Sequence, residues 1–92
     1  MKYKKLHFSG HAIMQMFKRN IQVDDIEFVL RNGKVIKEYP LDKPFPSFLM
    51  VSFVDRRPLH VVASTDRRGN CYIITAYEPD PELWSKDFST KR

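Results

Sequence analysis

From Lys34 to Tyr77 the chain consists of four runs of β-branched and aromatic residues, "KVIKEY", "SFLMVSFV", "LHVVAST" and "CYIITAY". Between them stand "PLDKPFP", "DRRP" and "DRRGN", whose Pro, Gly and Asp content is that of turns. This alternation predicts four strands joined by short turns, an antiparallel β-meander. Ahead of it, "SGHAIMQMFKRNI" and "VDDIEFVLRNG" carry apolar residues at helical spacing. Helices this short are not stable alone, so both must bury an apolar stripe on one face of the sheet. The expected fold is α+β, two short N-terminal helices ahead of a four-stranded meander. With 92 residues and no repeat or linker, residues 1–92 are expected to form one domain.

The helix ends are readable in some detail. Ser9 is placed to cap the first helix, and Asn20, tolerant of the left-handed conformation, to end it. Within it Ala12, Ile13, Met16 and Phe17 gather on one side, and His11, Gln15 and Lys18 on the other. For the second helix Asp24 is the expected N-cap, with Glu27 completing a capping box and Val23 and Phe28 a hydrophobic staple. Ile26, Val29 and Leu30 are its expected buried face, and Gly33 its end. The opening "KYKKLHF" reads either as a strand or as extended chain.

Charge and cysteine usage narrow the function. A single cysteine, Cys71, rules out an intramolecular disulfide and points to a reducing compartment, the cytoplasm. "MKYKKLHFS" lacks the apolar run of a secretory signal, and no stretch of about 18 apolar residues offers a membrane span, so no membrane association is expected. The net charge is +5, and residues 1–23 hold Lys2, Lys4, Lys5, Lys18 and Arg19 with no acid. Such a basic half suits a polyanion partner, because each neutralised phosphate releases counterions.

Most catalytic constellations are missing. His7 and His11 have the i, i+4 spacing of a helical metal pair, but Ser9-Gly10 interrupts a helix there, and no HExxH or Cys pair completes a site. No GxSxG elbow and no Gly-rich phosphate loop is present, so neither metal nor cofactor is expected. His60 in "PLHVV" and Tyr77 in "YIITAYEP" remain. If Thr65 pairs with Asn70 they project from one face, together with Val62 and Ile73, and a one-residue slip separates them. A strand histidine with a satisfied hydrogen bond and a sheet-edge tyrosine are the purely structural alternatives. Arg56 and Arg57 lie in the turn before the third strand and Arg67 and Arg68 in the turn after it, at opposite ends of the sheet. They could bracket a long polyanion or be solvated hairpin tips. The segment "PDPELWSKDF" is either packed through Trp84 and Phe88 or ordered by a partner.

"FSGHAIMQMFKRNIQVDDIEFVLRNGKVI", "PLHVV" and "YIITAYEPDPELW" resemble a family of small bacterial proteins catalogued as a domain of unknown function, number 4258. That family is grouped with the RelE/ParE-like toxins and the BrnT toxins. The resemblance runs from Phe8 to Trp84 and is most specific at His11, Ala12, Met16, Arg19 and Ile21. It departs at Gln15, where an Arg is usual, and at Asn20, where a Gly is usual; Gln15 removes a positive charge from any phosphate contact there.

The resemblance implies a RelE-like fold and a toxin of a type II toxin-antitoxin pair that cleaves mRNA, free or on the ribosome, without metal. Its implied partner is an antitoxin with zinc-finger and helix-turn-helix parts. In such chemistry a ribose 2′-OH attacks the adjacent phosphate, which needs a base, an acid and cations. His60 would be base or acid, and Tyr77 would orient the phosphate, donate a proton or stack on a base. Arg19 and His11, with Arg56 or Arg57, would stabilise charge. Lys18, Gln15, Arg56, Arg57, Arg67 and Arg68 are the expected RNA contacts. The alternatives are a non-catalytic RNA- or protein-binding module, or a ParE-like toxin directed at DNA gyrase.

Overall fold

A computed structural model describes residues 1–92. The elements run β1 (Lys5–Phe8), α1 (Gly10–Lys18), α2 (Val23–Asn32), β2 (Lys34–Tyr39), β3 (Ser47–Val54), β4 (Arg57–Thr65) and β5 (Asn70–Tyr77). All strands form one sheet in the order β1-β5-β4-β3-β2. The class is α+β, but the expected four-stranded antiparallel meander with both helices ahead of it is wrong. The meander β2 to β5 is there, and a fifth strand, β1, adds to β5 in parallel and precedes the helices.

The physical reason lies in four residues, "KLHF". With β1 absent, β5 would expose a row of unpaired backbone groups beside the core. Parallel pairing of Lys5 to Asn70 through Phe8 to Ile73 satisfies part of that row. It also turns Leu6 and Phe8 toward the core cluster. By sequence the opening run is either strand or extended chain; the structure makes its last four residues a strand, whose pairing is the most non-local in the fold.

Ser9 caps α1, its Oγ accepting from the Ala12 N–H at 3.0 Å. The helix ends as expected, with Asn20 in the left-handed region at φ 55°. Its buried stripe is narrower than expected. Because α1 lies over β5 and β1 at the edge of the sheet, only Ala12 and Met16 are buried and Gln15 is half-buried. Ile13 and Phe17, assigned to the core side by sequence, face outward, Phe17 at 87% exposure, with Met14 beside them.

Helix α2 starts earlier than expected. Asn20 reverses the chain, the Ile21 N–H bonds the Met16 carbonyl at 2.8 Å, and Gln22 becomes the N-cap. Asp25, not Glu27, supplies the capping carboxylate, accepting from the Gln22 N–H at 2.9 Å. The staple positions are then Ile21 and Ile26, both in the core, whereas Val23 and Phe28 are exposed. Ile26, Val29 and Leu30 are fully buried as expected.

These side chains meet Met50, Leu59, Val61, Ala63, Cys71, Ile73 and Ala76 from one face of the sheet. Burying each large aliphatic side chain contributes about 1.5–3 kcal/mol. Thus one face of the sheet holds the protein together, and the other is left for something else.

Gly33 makes the tight join between α2 and β2, its N–H bonding the Val29 carbonyl at 2.7 Å. A Cβ there would lie 2.5 Å from the Val29 carbonyl oxygen and 2.7 Å from that of Val51. Both are backbone atoms that cannot move aside. Gly33→Ala should therefore destabilise the protein by about 2 kcal/mol, read as a lower denaturation midpoint; an unchanged midpoint would contradict this packing.

Candidate nucleic-acid interface

On the face away from the helices, strand pairing aligns side chains in three rows. Lys34, Val51, His60 and Tyr77 form the first, and Lys37, Leu49, Val62 and Thr75 the second. Tyr39, Ser47, Ser64, Tyr72 and His7 form the third. Successive residues of a strand alternate between faces, so these rows oppose the core positions Leu59, Val61 and Ala63.

The first row carries His60 and Tyr77, two of the four expected catalytic residues; Arg19 and His11 lie on or beside α1. Thr65 pairs with Cys71 rather than Asn70, the slip that alone would have put His60 and Tyr77 on opposite faces. A bulge corrects it: Ala63 pairs with Ile73 but Val62 with Thr75, leaving Ile74 as the extra residue. His60 then sits directly opposite Tyr77, with Val62 on their face and Ile73 in the core.

The two rings are bonded and covered. His60 Nδ1 lies 3.2 Å from the Tyr77 hydroxyl and Nε2 lies 2.8 Å from the Phe88 carbonyl oxygen. A carbonyl only accepts, so Nε2–H donates to Phe88, and neutral Nδ1 accepts the Tyr77 proton. Trp84 closes edge-on over His60 at 4.5 Å, Phe88 packs on Phe53, and Lys34 pairs with Asp87 at 4.0 Å. The C-terminal segment is thus packed, one of its two expected states. His60 is 0% exposed and cannot itself touch an RNA strand in this state, whereas Tyr77 is half-buried and reachable.

The cations divide in the same way. Arg19 reaches the edge of β5 that β1 leaves open. Its Nη1 donates to the Ala76 carbonyl at 2.9 Å and lies 3.4 Å from Thr75 Oγ1, leaving other guanidinium N–H groups unused beside Tyr77. Arg57 belongs to β4 rather than to the turn, and is committed. It bonds the Asn20 and Arg19 carbonyls and pairs with Glu78 at 3.0 Å, tying the end of α1 to the sheet. Arg56 stays exposed at the turn. His11 is exposed eight residues before Arg19, roughly 12 Å away along the helix axis, so the two do not converge. Lys18 is exposed beside Arg19, and Gln15 is half-buried. Arg67 and Arg68 are exposed at the far end, as expected.

The third row holds groups that sequence reasoning did not single out as a site. His7 stacks on Tyr72 at 5.0 Å with planes 18° apart, and Phe45 stacks on Tyr72 at 5.9 Å and 14°. Asp66 organises them, accepting from the Arg68 and Asn70 N–H groups, the Asn70 side-chain amide and the Tyr72 hydroxyl at 2.8–3.0 Å. Asn70 Oδ1 in turn bonds His7 Nε2 at 2.9 Å. The Asn70 amide, then the backbone N–H groups and the Tyr72 hydroxyl, bring the Asp66 carboxyl down to about 2. Phe45 lies in the expected turn, and only the period of β5 placed Tyr72 on this face. No sequence signal joined the three rings.

Cys71 is buried in the core and its thiol is pushed up to about 11 by burial, which leaves it inert as a nucleophile. No three His, Cys, Asp or Glu side chains converge as a metal site would require. No helix is long and apolar enough to cross a membrane.

Burial holds the His60 imidazole below its ordinary 6.5, against the smaller opposing effect of the Phe88 carbonyl. Folding therefore opposes a proton that the unfolded chain accepts. The stability contributed by this group is complete above about pH 6.5 and is lost as pH falls through the lowered folded value. Denaturation midpoints at pH 7.5 and 5.0 should show a loss on acidification that His60→Gln reduces. Equal losses in both proteins would contradict a buried neutral His60.

Neither a curated protein nor a solved structure matches this chain. A family model does match, Domain of unknown function (DUF4258), over residues 8–78, from the last residue of β1 to the residue after β5. That span holds both helices, the meander and every candidate residue except His7 and the covering tail, and the chain belongs to the DUF4258 family.

Proposed function

We propose that this chain acts on RNA, binding a single strand across the open face of its sheet and cleaving it without a metal, in the manner of a RelE-like toxin. The observation that carries this reading is the state of Tyr77. Its proton is held by buried His60, so its oxygen offers lone pairs outward, beside the unused N–H groups of Arg19. An acceptor next to a guanidinium suits a ribose 2′-OH, which donates, next to a phosphate.

In this reading Tyr77 orients the 2′-OH and Arg19 stabilises the charge developing on the phosphate. The O2′–P bond forms and the P–O5′ bond breaks. With Tyr77 holding the 2′-OH only as a hydrogen-bond acceptor, the 2′-OH proton passes to solvent water, and the 5′ oxygen takes its proton from water. The products are a 2′,3′-cyclic phosphate and a 5′-hydroxyl. His60 is a positioning residue rather than the base or acid. Burial also raises the Tyr77 hydroxyl, with Tyr39 adding and Arg19 opposing, so the phenol stays protonated throughout. The setting proposed is the cytoplasm, with mRNA as substrate and a cognate antitoxin, carrying zinc-finger and helix-turn-helix parts, as the neutralising partner.

A second reading has its own support. Full burial of His60 beneath Trp84 favours a module that binds RNA on this face and cuts nothing.

Purified protein incubated with mRNA separates the two. Cleavage to cyclic-phosphate ends should fall at least about 100-fold in Tyr77→Phe. The loss in stability should stay near 1 kcal/mol, the worth of one hydrogen bond. Undiminished cutting by the variant would refute Tyr77 as the group that orients the 2′-OH. Salt-sensitive binding with no scission by the wild type would establish the second reading.

A further inference from the structure

At the end of the sheet away from Tyr77, an open groove of about 850 Å³ is lined by Phe45, Tyr72, Asn70, Arg67 and Arg68 among others. Three of its features point the same way. The rings of His7, Tyr72 and Phe45 are nearly parallel and only half-buried, so they are not core packing. Tyr72 and His7 are fixed before any ligand arrives, through Asp66 and Asn70. Two exposed arginines share the groove with Phe45 and Tyr72, and His7 joins it by stacking on Tyr72.

A hairpin tip needs none of this: a solvated turn keeps its arginines without ordering a ring stack beside them. An unpaired base needs all of it. Bases stack on flat aromatic faces, stacking weakens when the platform must first be ordered, and the flanking phosphates require cations. The Asp66 carboxylate is the one unfavourable charge, and four donors already occupy it.

We infer that the His7, Tyr72 and Phe45 stack, with Arg67 and Arg68, is a subsite that holds an unpaired RNA base and its flanking phosphates. This rests on the RNA reading above and adds to it a second anchoring point. Tyr72 and Tyr77 are five residues apart on β5, so the two points are separated by about 17 Å along the strand. A strand crossing the middle row would meet Lys37, Val62 and Thr75 between them, with Leu49 buried in the same row.

The test is binding of a fluorescein-labelled twelve-residue oligouridylate, measured by anisotropy at several salt concentrations. A matched chain of abasic ribose phosphates serves as the second probe. Phe45→Leu changes a loop residue and keeps its apolar bulk, so folding should persist, and thermal unfolding checks this. We expect Phe45→Leu and His7→Ala each to weaken oligouridylate binding about 10-fold and to leave abasic binding unchanged. The double variant Arg67→Gln, Arg68→Gln should weaken both probes and reduce the salt slope by about 1–2.

Equal effects on the two probes, or none, would overturn the stacking subsite. If the same variants are silent while Tyr77→Phe or Lys37→Gln weakens binding, the subsite fails and the RNA reading stands. Failure of the wild type to bind oligouridylate at low salt would overturn both.

Discussion

Ile74, one extra residue in β5, decides what the open face of this protein presents. The turn between β4 and β5 starts the two strands in a register that would send Tyr77 into the core face and leave His60 alone. The bulge at Ile74 shifts the pairing by one and places His60 across from Tyr77. From that pairing follow the His60–Tyr77 hydrogen bond, the surface on which Trp84 closes, and the edge of β5 that Arg19 reaches. A bulge also increases local twist, which suits a strand whose partner β1 stops at Phe8, opposite Ile73.

The two faces of the sheet divide the work. One side is a dry cluster built from Ile26, Leu30, Met50, Leu59 and Val61, which stabilises the fold and leaves no room for chemistry. The other is polar and aromatic, covered at the Tyr77 end by the C-terminal segment and open at the Tyr72 end. The C-terminal segment thus covers an apolar and aromatic strip, through Trp84 and Phe88, instead of standing free. Charge follows the same division. Arg57 is consumed holding α1 to the sheet, while Arg67 and Arg68 keep their side chains exposed beside rings.

Local chemistry was legible in the sequence where it is decided within a few residues. Ser9 as a cap, Asn20 as a left-handed stop, Gly33 as a join and the four meander strands all follow from side-chain chemistry and spacing. What depends on distant partners was not legible. The strand β1 exists because β5 needs an edge partner, and the "KLHF" run does not reveal that. Phe17 has the spacing of a core residue but faces outward, because α1 lies at the margin of the sheet. The start of α2 moved to Gln22 because Asn20 had already turned the chain. Of the candidate site, the shared face of His60 and Tyr77 was conditional on Thr65 pairing with Asn70; that pairing is absent, and the bulge at Ile74 restores the shared face by a route that strand periodicity does not contain. The ring stack of His7, Tyr72 and Phe45 joins three distant segments and was invisible.

The central claim is that the open face of the sheet, not the helix face, meets RNA. Amide chemical-shift mapping of the ¹⁵N-labelled protein, titrated with a single-stranded oligoribonucleotide, tests it directly. Shifts concentrated at Lys37, Val62, Tyr72, Thr75 and Tyr77 are the predicted result. Shifts confined to the outer surface of α1, around Ile13, Met14 and Phe17, with the open face silent, would contradict the account.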